Sequence, residues 1–274
     1  MAPVSPTPPR TDLAVAPPVG YLARTRDGVN SAVLTLPLFV LYQVGILLTD
    51  GWRNGADFVT PRLLALVQGS TALYFVLNLA VAGAVFVWWY RSSLRTQLPA
   101  RTFFAVAAES TGYALVLGGL VSSLLLRLGL EPAGMSVTQA ALGWTTALPA
   151  RAGAGEPDFG VLDSIVMSIG AGTYEELVFR VLLMGGALWG LRYTAWSRTV
   201  QWTVAIVGTS LLFSAFHYWP IGGDTFTLWS FMFRFVLGMV FAGLYWARGF
   251  AVAAYTHAIY DIFILVPAAL IGAP

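Results

Sequence analysis

The chain holds two histidines, and each stands four residues from another side chain that could serve it: Phe213 precedes His217, and Asp261 follows His257. A third pair at the same spacing, Glu176 and Arg180, lies upstream beside a second acid, Glu175. On a helix, residues i and i+4 share a face, so each pair presents its members together. Glu175 is turned about 100° from Glu176 on such a helix, so the two carboxylates cannot both meet one partner. One can act on a substrate while the other pairs with an arginine. A carboxylate and an imidazole are the usual groups for moving protons at neutral pH, and hydrolysis is the chemistry they suggest.

The elements that must position these groups are apolar. The chain of 274 residues is 57% hydrophobic and only 10% charged, against roughly 25% charged in a typical soluble domain. Runs of about 20 mostly apolar residues, long enough to cross a bilayer, recur along it. They predict an all-α, polytopic transmembrane helical bundle of about seven spans, with six to eight as the range: 29–49, 63–90, 102–126, 161–190, 199–219, 226–247 and 249–270. Residues 133–150 could add a re-entrant, interfacial or eighth helix. Trp and Tyr gather at span ends, among them Trp88, Trp89, Tyr90, Trp196, Trp202 and Trp246, as interfacial anchors do. Residues 1–28, rich in Pro with Arg10, Arg24 and Arg26, are expected to form a flexible tail. The chain then divides into that tail, the amino-terminal helices of 29–160, and a core of 161–274 that carries the chemistry.

Inside the spans stand Glu109, Glu175, Glu176, Arg180, His217, Arg234, His257 and Asp261, with Asp163 at an edge. Each charge at mid-bilayer costs roughly 2.5 to 3.5 kcal/mol, so the set must cluster, pair or face water. Plainer readings exist for each member. Glu176 with Arg180 can be an intrahelical ion pair, His217 beside Trp219 an interfacial histidine, and His257 with Asp261 an oriented packing group. Glu109 and Arg234 belong to no motif and are expected to pair structurally.

Several chemistries are excluded. There is no cysteine, hence no disulfide, thiolate metal site or cysteine nucleophile. Two histidines 40 positions apart cannot form His-Glu-x-x-His on one helix. None of Ser164, Ser168, Ser210 or Ser214 has the flanking glycines of Gly-x-Ser-x-Gly. An intramembrane aspartyl pair of the presenilin kind fails because Tyr260-Asp261 follows the incomplete Gly222-Gly223-Asp224. All 15 basic residues are Arg and none forms a stripe interleaved with aromatics, so nucleic acid is not an expected partner.

In order and spacing, three motifs resemble the CPBP family of intramembrane glutamic endopeptidases, which includes the type II CAAX prenyl endopeptidases and abortive-infection-like bacterial relatives. They are Glu175-Glu176-Leu177-Val178-Phe179-Arg180, Phe213-Ser214-Ala215-Phe216-His217 and His257-Ala258-Ile259-Tyr260-Asp261, within about residues 161–270. The resemblance implies metal-free cleavage of a membrane-associated peptide or protein. Glu175 would be the general base for a water shared with His217, and His257 with Asp261 would stabilise the oxyanion; Glu176, Arg180 and Phe213 would be supporting residues. The prenyl endopeptidases carry Asn where this chain has Asp261. An ionised Asp only accepts hydrogen bonds, so Asp261 is either protonated or orients His257 while His257 donates. No cofactor is implied. The alternatives are a zinc hydrolase using Glu175, His217 and His257 as ligands, and a non-catalytic membrane scaffold, immunity protein or transporter.

Lys-free, Arg-, Ala- and Gly-rich usage suggests a bacterial cytoplasmic membrane. With seven spans and a cytoplasmic amino terminus, nine Arg (10, 24, 26, 91, 95, 101, 192, 198, 248) fall on the cytoplasmic side and four (53, 62, 127, 151) outside. His217 then lies near the external end of its helix, unlike the prenyl endopeptidases, whose site serves cytosolic tails. A Gly222→Cys change in this cysteine-free chain should therefore be labelled by an impermeant maleimide on intact spheroplasts. Labelling that requires permeabilisation would reverse the orientation.

Overall fold

The computed structural model describes residues 20–49, 56–91, 98–131, 160–218 and 226–272, which contain helices and no strand. In chain order the helices are α1 (Tyr21–Arg26), α2 (Gly28–Leu48), α3 (Val59–Leu66), α4 (Thr71–Arg91) and α5 (Arg101–Arg127). The rest are α6 over 161–191, α7 (Arg198–Phe216), α8 (Leu228–Arg248) and α9 (Phe250–Gly272). Six of them, α2, α4, α5, α7, α8 and α9, are long and apolar enough to cross a membrane. The seventh expected span, 161–190, is α6, helical without a break and carrying Glu175, Glu176 and Arg180.

Local signals explain the boundaries. Asp27 accepts a hydrogen bond from the Asn30 amide and so starts α2, while Ser197 and Thr227 cap α7 and α8 in the same way. Gly249, at φ +90°, ends α8 and allows α9 to begin one residue later. Two expectations need correction. The span placed at 63–90 is broken by a turn in which Gln68 and Gly69 take φ +52° and +74°, so the long helix starts at Thr71. The tail placed at 1–28 is helical from Tyr21 to Arg26, with Thr25 fully buried; residues 1–19 and 133–150 lie outside the described residues.

Packing clusters fix the direction of each helix. At one end, Val33 and Leu34 of α2 meet Val106 of α5 and Ala251 and Val252 of α9, so these three helices run parallel. At the far end, Leu125 of α5 packs with Trp229 of α8 and Ile264 of α9. Helix α6 runs against them: Val166 meets Ile46 at the far end, and Met184 packs with Ala205 and Ala242 toward the α1 end. Thus α5 finishes and α6 begins at the same end, where α7 also finishes with His217.

Helices α6 and α9 cross closely at Gly172. A Cβ on Gly172 would come within 2.7 Å of the Ala258 Cβ and nitrogen, and closer still to the Ala254 carbonyl. Gly172→Ala must therefore push α9 away from α6. Overpacking of this kind costs about 1 to 3 kcal/mol, and the variant is expected to melt several degrees lower in detergent. Unchanged melting and activity would show that the crossing has slack.

Candidate active site

Helix α6 is wound unusually where it matters. Residues Ala171–Glu175 and Leu177–Met184 are π-helical, and Thr173 Oγ1 donates to the Ile169 carbonyl at 2.8 Å in the same stretch. Wide turns of this sort re-aim side chains and are common at functional sites. Tyr174 is drawn toward α2, where Gln43 Nε2 donates to its hydroxyl at 2.9 Å and Tyr42 packs its ring 5.2 Å away. That fixes the rotation of α6 and leaves Glu175 and Glu176 facing α7 and α9.

Glu176 is a junction. Its Oε2 accepts from Arg180 Nε at 3.0 Å, and its Oε1 lies 2.9 Å from His257 Nδ1. Both Glu176 and Arg180 have no exposed surface. A buried carboxylate shared by a guanidinium and an imidazole satisfies a charge that alone would be very costly at this depth. The Arg180 guanidinium also lies over the Phe213 ring, 5.0 Å from its centroid. The ion pair read from the i, i+4 spacing is therefore present, and it is also the anchor of His257.

Glu175 faces the opposite side of that anchor. Its Oε2 is 3.9 Å from His217 Nε2 and 4.0 Å from His257 Nε2. Each ring is held through its other nitrogen. His217 Nδ1 lies 2.9 Å from the Phe213 carbonyl, which can only accept, so Nδ1 donates. His257 Nδ1 likewise donates to the Glu176 carboxylate. Both Nε2 atoms thus point at one carboxylate oxygen, at separations too long for direct hydrogen bonds and suited to an oxygen atom placed between them. Glu175, His217 and His257 do converge, although they come from three helices.

Phe213 is the apolar hub beneath them, edge-on to His217 at 5.0 Å, to His257 at 5.9 Å and to Phe179 at 5.3 Å. Asp261 meets His257, as its spacing implied, but not at the nitrogen that orients the ring. Its Oδ2 is 3.5 Å from His257 Nε2, the atom that faces Glu175, whereas the orienting bond at Nδ1 belongs to Glu176. Side-chain exposure is 24% for His217 and 23% for Asp261, against 4% for His257 and 8% for Glu175. The site therefore opens on the His217 and Asp261 side, at the far end of the bundle.

Residues 157–263 match the family model described as Type II CAAX prenyl endopeptidase Rce1-like. This part of the chain, the Rce1-like domain, is similar to that family. The matched stretch takes in every candidate site residue from Glu175 to Asp261. Comparison with curated proteins and with solved structures finds no match.

Two features of the Rce1-like domain escaped the sequence. Phe241 of α8 stacks on the His257 ring, with centroids 4.5 Å apart and planes 17° from parallel; one aromatic in an apolar helix gives no warning of this. Arg234 donates from Nη1 to the Tyr218 hydroxyl at 3.1 Å, a partner its spacing did not show. Glu109 lies apart from the site, paired with Arg248.

Proposed function

We propose that the protein is an intramembrane endopeptidase in which Glu175 activates water without a metal. The observation that carries this reading is the single carboxylate oxygen, Glu175 Oε2, facing Nε2 of both histidines at 3.9 and 4.0 Å. A water about 2.8 Å from Glu175 and from His217 Nε2 would lose its proton to the carboxylate as its oxygen bonds to the scissile carbonyl carbon. The oxyanion would be stabilised by His257, whose ring is oriented by its tether to Glu176. Collapse would break the C–N bond, and the proton held by Glu175 would pass to the departing amine. Glu176 and Arg180 position His257, and Phe213 supports both rings. The substrate is a membrane-associated peptide or protein, in what we read as a bacterial cytoplasmic membrane.

A zinc hydrolase is the second reading, and one observation favours it: both imidazoles are steadied at Nδ1, as metal-bound histidines usually are. Against it, zinc bonds of 2.0 to 2.2 Å place tetrahedral ligands about 3.4 Å apart, closer than the donors stand here. Among the described residues no group of three His, Asp or Glu side chains is arranged to hold a metal ion.

Purified protein in liposomes, stripped with a chelator and checked by elemental analysis, is expected to cleave a library of membrane-anchored peptides. Glu175→Gln and His217→Ala should each lower kcat by at least 100-fold with insertion and melting unchanged. Glu176→Ala should instead reduce the amount of folded protein, because Arg180 would stay buried without its partner. Activity that disappears with the chelator and returns only with zinc would establish the second reading. Unaltered cleavage by Glu175→Gln would remove both.

A further inference from the structure

Helix α9 carries His257 and Asp261, and it is joined to α8 through one residue, Gly249, whose φ of +90° makes it the natural swivel between them. Neighbouring residues of α5 hold both flanks of that swivel. Glu109 takes Arg248, the last residue of α8, in a bidentate pair: Nε to Oε1 at 2.5 Å and Nη2 to Oε2 at 2.6 Å. Ser110 Oγ donates to the Val252 carbonyl in the first turn of α9 at 3.2 Å. The short helix α1 closes the arrangement. Tyr21 donates its hydroxyl proton to Glu109 Oε2 at 2.6 Å, and its ring lies 5.1 Å from the Arg248 guanidinium. Tyr113 adds a second phenolic donor to Glu109 at 3.0 Å. The backbone of Thr25 packs so closely on Gly249 that a Cβ there would fall 2.9 Å from the Thr25 carbonyl carbon. Burial and the Glu109 carboxylate both push the Tyr21 hydroxyl above its ordinary value, so it remains a donor at neutral pH.

Such a concentration of charge is more than is needed to close a helix pair already buried by apolar contacts. Ala251, Val252, Ala253 and Ala254 are all fully buried. What a bidentate arginine clamp adds is direction: it fixes the rotation and depth of the element it holds. His257 is nine residues beyond Arg248, roughly 13 Å along the helix at 1.5 Å per residue. A rotation at Gly249 would carry His257 Nε2 away from Glu175, from which it stands 4.0 Å.

We infer that Glu109, supported by Tyr21 of α1, is a positioning residue for the reaction: it clamps the Gly249 swivel and thereby holds His257 in register with Glu175. This rests on the functional reading above. It assigns a part in the chemistry to helices α1 and α5, which lie outside the Rce1-like domain.

Because the chain contains only His217 and His257, imidazole 15N resonances of the whole protein in nanodiscs report each ring separately. Glu109→Gln is expected to shift the His257 resonances, leave those of His217 in place, and lower kcat at least tenfold at unchanged KM. The charge swap Glu109→Arg with Arg248→Glu is expected to recover part of both. Unmoved His257 resonances in Glu109→Gln would overturn the clamp, even if the melting temperature fell. Should Glu109→Gln fail to insert, Tyr21→Phe keeps the ion pair and removes one hydrogen bond; a smaller shift of His257 supports the clamp and no shift overturns it. Absence of peptidase activity in the wild type would count against the functional reading alone, since the resonance shift does not depend on turnover.

Discussion

The arrangement of α6, α7 and α9 depends on one buried carboxylate, Glu176. Its two oxygens are divided between Arg180 and His257, and neither it nor the arginine reaches solvent. In a medium that solvates charge poorly, removing any one member strands the others, so α6 and α9 are held at a fixed spacing by electrostatics that permit little compromise, and α7 joins them through Phe213 beneath the Arg180 guanidinium. The close crossing at Gly172 follows from this: α9 must approach α6 nearly to backbone contact for His257 to reach Glu176. Once His257 is committed at Nδ1, its Nε2 can face only the space in front of Glu175. The site is thus a by-product of satisfying Glu176.

Much of the fold was legible because lipid enforces simple rules. Apolar runs of bilayer length marked α2, α5, α7, α8 and α9 to within a residue or two at most ends. The misplaced start of α4 came from apolar residues of α3 running into it, although Gln68-Gly69-Ser70 carried a turn signal. Helix α1 was hidden because the tail expected over residues 1–28 was read by the prolines of its first part, while Tyr21–Arg26 is stabilised by what it touches.

The site was legible in its members and less so in its connections. Spacing along a helix revealed Glu176 with Arg180, and it placed His217 above Phe213. It could not show that the carboxylate orienting His257 lies 81 residues away, and so it pointed to Asp261 for that task. The same limit concealed Arg248 as the partner of Glu109, 139 residues distant. Local periodicity reports what shares a face; it is silent on which faces meet, and here the meeting of α6 with α9 and of α5 with the α8–α9 junction decides the geometry.

The amino-terminal helices therefore bear on function without supplying a group to the site. Gln43 of α2 sets the rotation of α6 through Tyr174, and Glu109 of α5 holds the root of α9. Chemistry and support are divided between the Rce1-like domain and the segment before it. The central claim is that Glu175 drives cleavage of a membrane-associated protein. It is tested most directly by comparing protein termini across the membrane proteome of the host in three strains: wild type, deletion, and deletion complemented with Glu175→Gln at equal expression. At least one membrane-associated protein should carry the cleaved terminus only in the wild type, and remain uncleaved in both other strains. Identical termini in all three, or cleavage restored by Glu175→Gln, would contradict the account.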